Sequence, residues 1–322
     1  MINIGSGNIQ AIKVGTDDYI KAYQGMTLVW SKVNPVTAIT CHYNVTQTGT
    51  TTIGNAITSK TNTMVVDGVS VPASTTFNFT TTGNHVVEWV DVISSLPMNA
   101  FAGVTALTEV EFPETMTFME YYVFSGCTNL VSADMTVCHS LSINAGAFSD
   151  CSSLSEIQLG PVNMIRDDVF SGCVGVSAPV LVIPSTVTSI GTRAFQNLGN
   201  NTSVEIQVEL PSGITSVGHM AFENAHITYI GLNDGLQTIG NYTFARTSPV
   251  DVEIPASVTS IGAGAFEDIS AYQVKFRGTT PPTFGSDVFQ YAPLPGGILV
   301  PSASVAAYKA ALPNYADKIV GY

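Results

Sequence analysis

The sequence has few charged residues. Asp, Glu, Lys and Arg make up 11% of its 322 residues, against roughly 25% in an ordinary soluble domain. Acidic residues outnumber basic ones by 24 to 11, which gives a formal net charge of −13. Such a field repels nucleic-acid phosphates and anionic lipid headgroups. We therefore expect no nucleic-acid partner.

Long apolar segments are also lacking. No run approaches the roughly 20 residues that span a bilayer, so the sequence predicts no membrane insertion. The first residues, MINIGSGNIQAIKVG, contain neither the basic nor the apolar region of a secretion signal. We expect the chain to carry no secretion signal and Met1 to be its natural start.

Cysteine and histidine are few and scattered. The five cysteines form an odd set without a paired framework, which argues against disulfides, and no Cys or His pair has zinc-site spacing. We expect reduced, buried thiols, no metal, no cofactor and no enzymatic activity, since no catalytic constellation is evident. The residues concerned are Cys41, Cys127, Cys138, Cys151, Cys173, His42, His85, His139, His219 and His226.

What the sequence does contain is a repeat. SIGAGAF, at residues 260–266, is echoed by SIGTRAF, SVGHMAF and TIGNYTF. Aligned phenylalanines recur at intervals of 22 to 27 residues, at Phe101, Phe124, Phe148, Phe170, Phe195, Phe222, Phe244, Phe266 and Phe289. Five residues before each stands an apolar residue: Leu96, Met119, Ile143, Ile165, Ile190, Val217, Ile239, Ile261 and Phe284. This near-fixed period predicts a solenoid of about nine coils.

Each repeat also contains a short alternating run, which a proline ends in four repeats. In DVEIP, Val252 and Ile254 should face the core while Asp251 and Glu253 face solvent. One unit of about 23 residues cannot bury its own apolar face. Stacking therefore predicts parallel strands, with continuous ladders of Ile and Phe along the solenoid.

The repeats resemble a known family. IPASVTSIGAGAFEDIS, FSGCTNL and FSDCSSLSEIQL are similar to the BspA-type leucine-rich repeat, which is common in surface proteins of Bacteroidetes and some protists. The C-terminal residues resemble the cap of such arrays, with a last strand in ILVP and a helix in SVAAYKAAL. The resemblance implies a solenoid over residues 93–292 and a C-terminal cap over residues 293–322.

The first 92 residues are different. Residues 1–32 alternate weakly, which predicts a small β-meander, and IKAYQGMTLVWSK resembles N-terminal modules of phage structural proteins, which implies an attachment module. Residues 33–92 are rich in Thr and Val, and TTFNFTTTGNHVVEWV resembles the last strands of an immunoglobulin-like domain. We therefore expect a mainly β chain in which small β-modules, including an immunoglobulin-like sandwich that acts as a spacer, precede the solenoid.

One set of polar residues is a candidate binding site. If the repeat strands stack, their outward positions form an acidic, amide-bearing stripe on an open sheet face, where solenoids commonly bind ligands. The alternative is that these charges only keep an exposed sheet soluble. The stripe consists of Glu109, Glu111, Glu156, Gln158, Gln207, Glu209, Asp251 and Glu253.

Three functions compete. The favoured interpretation is a non-enzymatic phage virion protein, a tail or head appendage in which residues 1–92 contact other virion proteins and the solenoid binds a host-surface protein or glycan. The alternative is a bacterial cell-surface adhesin of BspA type that binds host or matrix proteins. The third is a polysaccharide-processing enzyme that uses the acidic stripe. Whether the protein forms a homo-oligomer is left open.

Overall fold

The computed structural model describes residues 38–59, 61–90 and 94–322, together with the backbone of three earlier strands. Those strands form an antiparallel sheet in chain order: β1 (Ile12–Lys13), β2 (Tyr19–Gln24) and β3 (Thr27–Lys32). The phage-like segment, residues 20–32, has its side chains outside the described residues. The attachment role assigned to residues 1–32 stays a prediction.

The next residues form two antiparallel sets of strands and a short 3-10 helix at Ile57–Ser59. The strands are β4 (Ile39–Val45), β5 (Gly49–Thr52), β6 (Thr63–Val66), β7 (Val69–Pro72), β8 (Thr76–Phe79) and β9 (Gly83–Trp89).

The solenoid and its cap contain the remaining strands, most of them short. They are β10 (Ser95–Leu96), β11 (Leu107–Glu111), β12 (Phe118–Met119), β13 (Ser132–Asp134), β14 (Ser142–Ile143), β15 (Val180–Leu181), β16 (Ser189–Ile190), β17 (Ile206–Glu209), β18 (Ser216–Val217), β19 (Ile227–Gly231), β20 (Thr238–Ile239), β21 (Asp251–Ile254), β22 (Ser260–Ile261), β23 (Gln273–Phe276), β24 (Thr283–Phe284), β25 (Gly297–Val300) and β26 (Ile319–Gly321). The cap adds helix α1 (Val305–Ala311) and 3-10 helices at Ser302–Ser304 and Pro313–Tyr315.

Each coil of the solenoid has three sides. The longer strands lie on one side, where β15, β17 and β19 form one parallel sheet and β21, β23, β25 and β26 form another. The two-residue strands β16, β18, β20, β22 and β24 pair in parallel on a second side. Tight turns form the third side. The fold is thus mainly β with about ten turns, because the cap strands β25 and β26 continue the stack beyond the predicted nine coils.

The predicted phenylalanine ladder is confirmed. The nine rings are at most 1% exposed, and successive centroids lie 5.1 to 5.7 Å apart with interplanar angles of 3° to 16°. The apolar column five residues earlier is also buried, except that Phe284 is half-buried and packs edge-on to Phe276. Two ladders therefore form the core on which each coil stacks.

The turn side is built from left-handed backbone. Two residues before each ladder phenylalanine φ lies between 53° and 68°, and two residues after it between 53° and 76°. Tyr122, Arg193 and Met220 occupy such positions at a conformational cost of roughly 1 to 2 kcal/mol each. Hydrogen bonds between coils offset that cost, since backbone N–H groups here donate to carbonyls of the following coil, as from Phe101 to Val123 at 2.8 Å.

Residues 38–90 are joined directly to the solenoid. Strand β4 pairs antiparallel with β11, which gives one six-stranded sheet in the order β13-β11-β4-β9-β6-β7. Asn55 completes the turn side, because its backbone N–H donates to the Ala100 carbonyl at 2.6 Å and its side-chain amide donates to the Ala102 carbonyl at 2.6 Å. The predicted immunoglobulin-like spacer is not confirmed, since these strands cover the first coil.

The C-terminal residues close the other end. Tyr308 on α1 is fully buried and donates its hydroxyl to the Gly278 carbonyl at 2.9 Å; burial raises its pKa to about 12. The strand and helix expected in this cap are both present, as β25 and α1. Among the described residues, no helix is long and apolar enough to cross a bilayer.

Candidate functional site

The strand face is the solvent side of the longer parallel strands. Buried and exposed residues alternate along β21 as predicted: Val252 and Ile254 are 1% exposed, whereas Asp251 and Glu253 point to solvent. All eight predicted site residues lie on this face. Glu109, Glu156, Gln207, Glu209, Asp251 and Glu253 are exposed, and Glu111 and Gln158 are half-exposed.

At both ends of the strand face an acidic residue contacts nitrogen-bearing side chains of the chain itself. Near the first coil, Glu111 Oε1 lies 3.4 Å from His42 Nε2 on the neighbouring strand β4. Near the cap, Glu253 contacts Lys275 Nζ at 3.7 Å and Arg277 Nε at 3.3 Å. The acidic stripe is therefore interrupted near the cap by two cationic side chains, Lys275 and Arg277.

The middle of the strand face carries exposed apolar side chains that we did not predict as part of the site. Val180, Val182 and Tyr229 are 50%, 65% and 45% exposed. Register places Gln207 of β17 between Val180 of β15 and Tyr229 of β19. The outward positions of VLVIP and ITYIG carry the sequence signal for these side chains, which a search for acidic and amide residues alone does not include.

A carboxylate and an aromatic ring converge in this middle region. Glu209 of β17 is in register with Gly231 of β19. A Cβ atom on Gly231 would lie 3.1 Å from Cγ of Glu209 and 3.3 Å from both Cε1 and the hydroxyl oxygen of Tyr229. The absence of a side chain at Gly231 thus leaves room for the Tyr229 ring beside the Glu209 side chain.

Comparison with known proteins identifies the repeat. The family model for the BspA type leucine rich repeat region matches in six copies, over residues 74–200 and 165–294. This chain belongs to that family. No curated protein matches the chain.

Three solved structures show distant similarity to this BspA-type protein. A leucine rich cell surface protein from Faecalibacterium prausnitzii A2-165 is 20% identical, with 71% of this chain and 76% of that chain covered and a TM-score of 0.40. The pneumococcal vaccine antigen PcpA is 14% identical, with 67% and 68% covered and a TM-score of 0.40. A leucine-rich repeat protein from Bacteroides ovatus ATCC 8483 is 16% identical, with 76% and 89% covered and a TM-score of 0.26. Similarity at this level carries no functional argument.

The short-strand side of the BspA-type solenoid bears a shallow groove of about 320 Å³. Ser216, Thr238 and Ser260 line it, together with Gly218 and Gly240. A Cβ atom on Gly240 would lie 2.7 Å from the carbonyl carbon of Gly218. The glycines are therefore required by the close approach of successive coils.

The cysteines lie in the core of the protein, and three of them connect neighbouring coils. All five are buried, as predicted, and none is bonded to another cysteine. Three of them donate to the carbonyl of a ladder phenylalanine in the preceding coil: Cys127 to Phe101 at 3.0 Å, Cys151 to Phe124 at 3.2 Å and Cys173 to Phe148 at 3.3 Å. Burial raises the pKa of Cys41 and Cys127 to about 12 and that of Cys138 to about 11.

Among the described residues, no three His, Cys, Asp or Glu side chains lie close enough together to hold a metal ion. The histidines have separate partners. His85 contacts Asp67 at 2.7 Å, His219 accepts the Asn241 N–H at 3.1 Å, and His226 contacts the Thr202 carbonyl at 3.0 Å.

Proposed function

We propose that this BspA-type protein is a bacterial cell-surface adhesin that binds a host or matrix protein on its strand face. Family membership supports this proposal, because the resemblance implies a repeat common in surface proteins. The observation that carries it is the exposure of Val180, Val182 and Tyr229 beside acidic residues on an open sheet. Exposed apolar side chains within a polar rim mark interaction sites.

We propose binding without catalysis. A glycoside hydrolase needs two carboxyl groups facing each other across the scissile bond, and a reaction of that kind profits from walls that exclude water. On the strand face Glu209 of β17 and Glu253 of β21 both project to solvent from an open face, and Glu253 is already paired with Lys275 and Arg277. This arrangement favours contact with a partner over hydrolysis.

The virion interpretation is less well supported. It depended on the phage-like segment at residues 20–32, whose side chains are not described. The family match begins at residue 74 and does not bear on that segment. Contacts of residues 1–92 with other virion proteins remain a prediction without support, and we therefore favour the adhesin, the alternative drawn from the sequence.

A binding assay with a matched control tests the adhesin proposal. The purified full chain is passed over immobilised collagen, fibronectin and laminin and incubated with epithelial cell monolayers. The double variant Val182→Ser, Tyr229→Ser changes the strand face. The double variant Met164→Ser, Tyr291→Ser changes exposed side chains outside that face, which are 43% and 74% exposed.

We expect the wild-type chain to bind at least one of these surfaces. The strand-face variant should lose about tenfold in affinity, as anchors at the centre of an interface do, and the control should stay within about twofold. Absence of binding to every surface, or equal losses in both variants, would contradict the proposal.

A further inference from the structure

We propose that the strand face recognises a basic side chain, arginine or lysine, of its protein partner at the point where Glu209 and Tyr229 meet above Gly231. This inference rests on the proposed function and names the chemistry of the partner. We call these three residues the cation notch.

The cation notch is held by two adjacent parallel strands. Strand β17 presents Glu209 in register with Gly231 of β19, and Tyr229 precedes Gly231 by two residues on the same strand face. Both the Cγ atom of Glu209 and the Tyr229 ring approach the place where a Gly231 side chain would begin, at 3.1 and 3.3 Å. Any larger residue at position 231 would occupy the notch.

The charge of the cation notch is uncompensated. Within the part of the chain that the structure describes, Glu209 makes no ion pair, whereas Glu111 and Glu253 on the same face each contact a basic group. Tyr229 is 45% exposed, so its ring is open to a partner. A carboxylate and an aromatic ring side by side attract a cation, because the carboxylate forms charge-assisted hydrogen bonds and the ring adds a cation–π contact.

The chain itself contains a completed version of this arrangement. Lys275 Nζ lies 3.7 Å from Glu253 Oε2 and 4.9 Å from the centroid of the Tyr322 ring. There a carboxylate and a phenol ring of the strand face hold an ammonium group. The cation notch has the corresponding carboxylate and ring, in a protein with a net charge of −13, and a basic partner would supply the cation.

The flanking residues define the partner further. Val180 and Val182 lie on the other side of β17, so the partner should place an apolar side chain there. Two strand spacings, from β19 to β15, amount to about 10 Å. A segment in the polyproline II conformation has three residues per turn and rises about 3.1 Å per residue, so residues three positions apart face the same side about 9 Å apart. The partner segment should therefore carry a basic residue and an apolar residue three positions apart.

Nuclear magnetic resonance of the full chain tests this inference. The probe is the capped peptide acetyl-Gly-Arg-Gly-Gly-Val-Gly-amide, added to the ¹⁵N-labelled protein at concentrations up to about 5 mM, which populate complexes with dissociation constants in the millimolar range. The control peptide carries citrulline, which is nearly isosteric with arginine and uncharged. A third peptide carries lysine.

We expect chemical-shift changes centred on Glu209, Tyr229 and Gly231. The arginine and lysine peptides should bind at least about fivefold more tightly than the citrulline peptide, and Glu209→Gln and Gly231→Ala should each reduce their binding about fivefold. Glu114→Gln is the matched control, because Glu114 is an exposed acid that does not belong to the acidic stripe. That variant should bind within about twofold of the wild type.

Equal binding of the arginine and citrulline peptides would overturn the inference, as would shifts located elsewhere or a Glu209→Gln variant that binds normally. Such a result leaves the adhesin proposal standing if strand-face variants still lose binding to matrix proteins or cells. Failure of the full chain to bind any of the matrix proteins or the cells would instead count against the adhesin proposal.

Discussion

The indole ring of Trp89 meets the first ring of the phenylalanine ladder edge-on, with its centroid 6.1 Å from that of Phe101 and the planes at 70°. At the other end Tyr315 meets Phe289 in the same way, at 5.7 Å and 89°. Within the ladder the rings are stacked face to face. A further phenylalanine ring could not stack face to face on a ring that lies edge-on to the ladder. Trp89 and Tyr315 therefore end the array, as the terminal units of solenoids must.

Replacing Trp89 should destabilise the whole protein. Trp89 is fully buried at the junction between β9 and the first coil. Trp89→Ala should lower the free energy of unfolding by about 3 to 5 kcal/mol, because it removes the packing and leaves a cavity at the end of the ladder. Urea unfolding followed by circular dichroism measures the change.

Tyr291→Ala is the control for Trp89→Ala, since Tyr291 is an aromatic residue that is 74% exposed. It should change stability by less than about 0.5 kcal/mol. Similar losses in the two variants would show that Trp89 does not close the ladder.

The cysteine thiols should be unreactive in the folded protein. Burial raises their pKa values above the ordinary 9.0, to about 12 for Cys127 and about 11 for Cys138, so the reactive thiolate is scarce. At pH 8, Ellman's reagent should modify fewer than about one thiol per folded chain and all five after denaturation in guanidinium. Rapid modification of a thiol in the native protein would argue against the buried positions.

The same thiols make stability depend on alkaline pH. The folded state keeps thiol protons that the unfolded chain releases above about pH 9, so the unfolded state binds fewer protons and the free energy of unfolding falls as pH rises from there. The double variant Cys127→Ala, Cys173→Ala should lose less stability between pH 8 and about 10.5 than the wild type. Urea midpoints at the two pH values provide the comparison, and parallel losses would contradict it.

On the short-strand side, position 240 should accept only glycine, because a side chain there would clash with the preceding coil. Gly240→Ala should cost about 1 to 3 kcal/mol, because the new Cβ atom would lie 2.7 Å from the Gly218 carbonyl carbon and 2.8 Å from the His219 nitrogen. Gly278→Ala is the control, since its nearest neighbour would be the Thr280 carbonyl oxygen at 3.4 Å, an ordinary contact. Thermal unfolding should separate the two variants, and equal melting temperatures would exclude close approach as the cause.

The solenoid could be predicted from the sequence because its determinants are periodic. A phenylalanine every 22 to 27 residues and an apolar residue five positions before it are visible without knowledge of long-range contacts. The outward position of Glu253 followed from the two-residue period of a strand. These features depend on neighbours in the same coil or on identical positions in the next.

Features without a period escaped prediction. The pairing of β4 with β11 joins strands more than 60 residues apart, and local alternation does not indicate the partner of a strand. The left-handed positions carry Tyr122 and Arg193, residue types that give no turn signal. Neutralisation of Glu253 by Lys275 depends on the register of β21 with β23, which the sequence of one strand does not show.

Asn55 should stabilise the first coil, because it supplies the hydrogen-bond donors that the preceding coil supplies elsewhere in the solenoid. In the solenoid, carbonyls of the turn side accept N–H groups of the preceding coil, and at the first coil Asn55 supplies both donors, to Ala100 and Ala102. Asn55→Asp keeps the size of the side chain but places a carboxylate oxygen against the Ala102 carbonyl. The variant should lose about 1 kcal/mol, since the site is exposed.

Hydrogen exchange and urea unfolding would test the role of Asn55. The amides of residues 100–104 should exchange several-fold faster in Asn55→Asp, while the amides of the central coils should keep their protection. Asn78→Asp makes the same chemical change at an exposed position on β8 and should leave residues 100–104 unaffected. If both variants raised exchange at residues 100–104 equally, the effect would come from the added negative charge. The side-chain amide of Asn55 would then not be the group that completes the hydrogen bonds of the first coil.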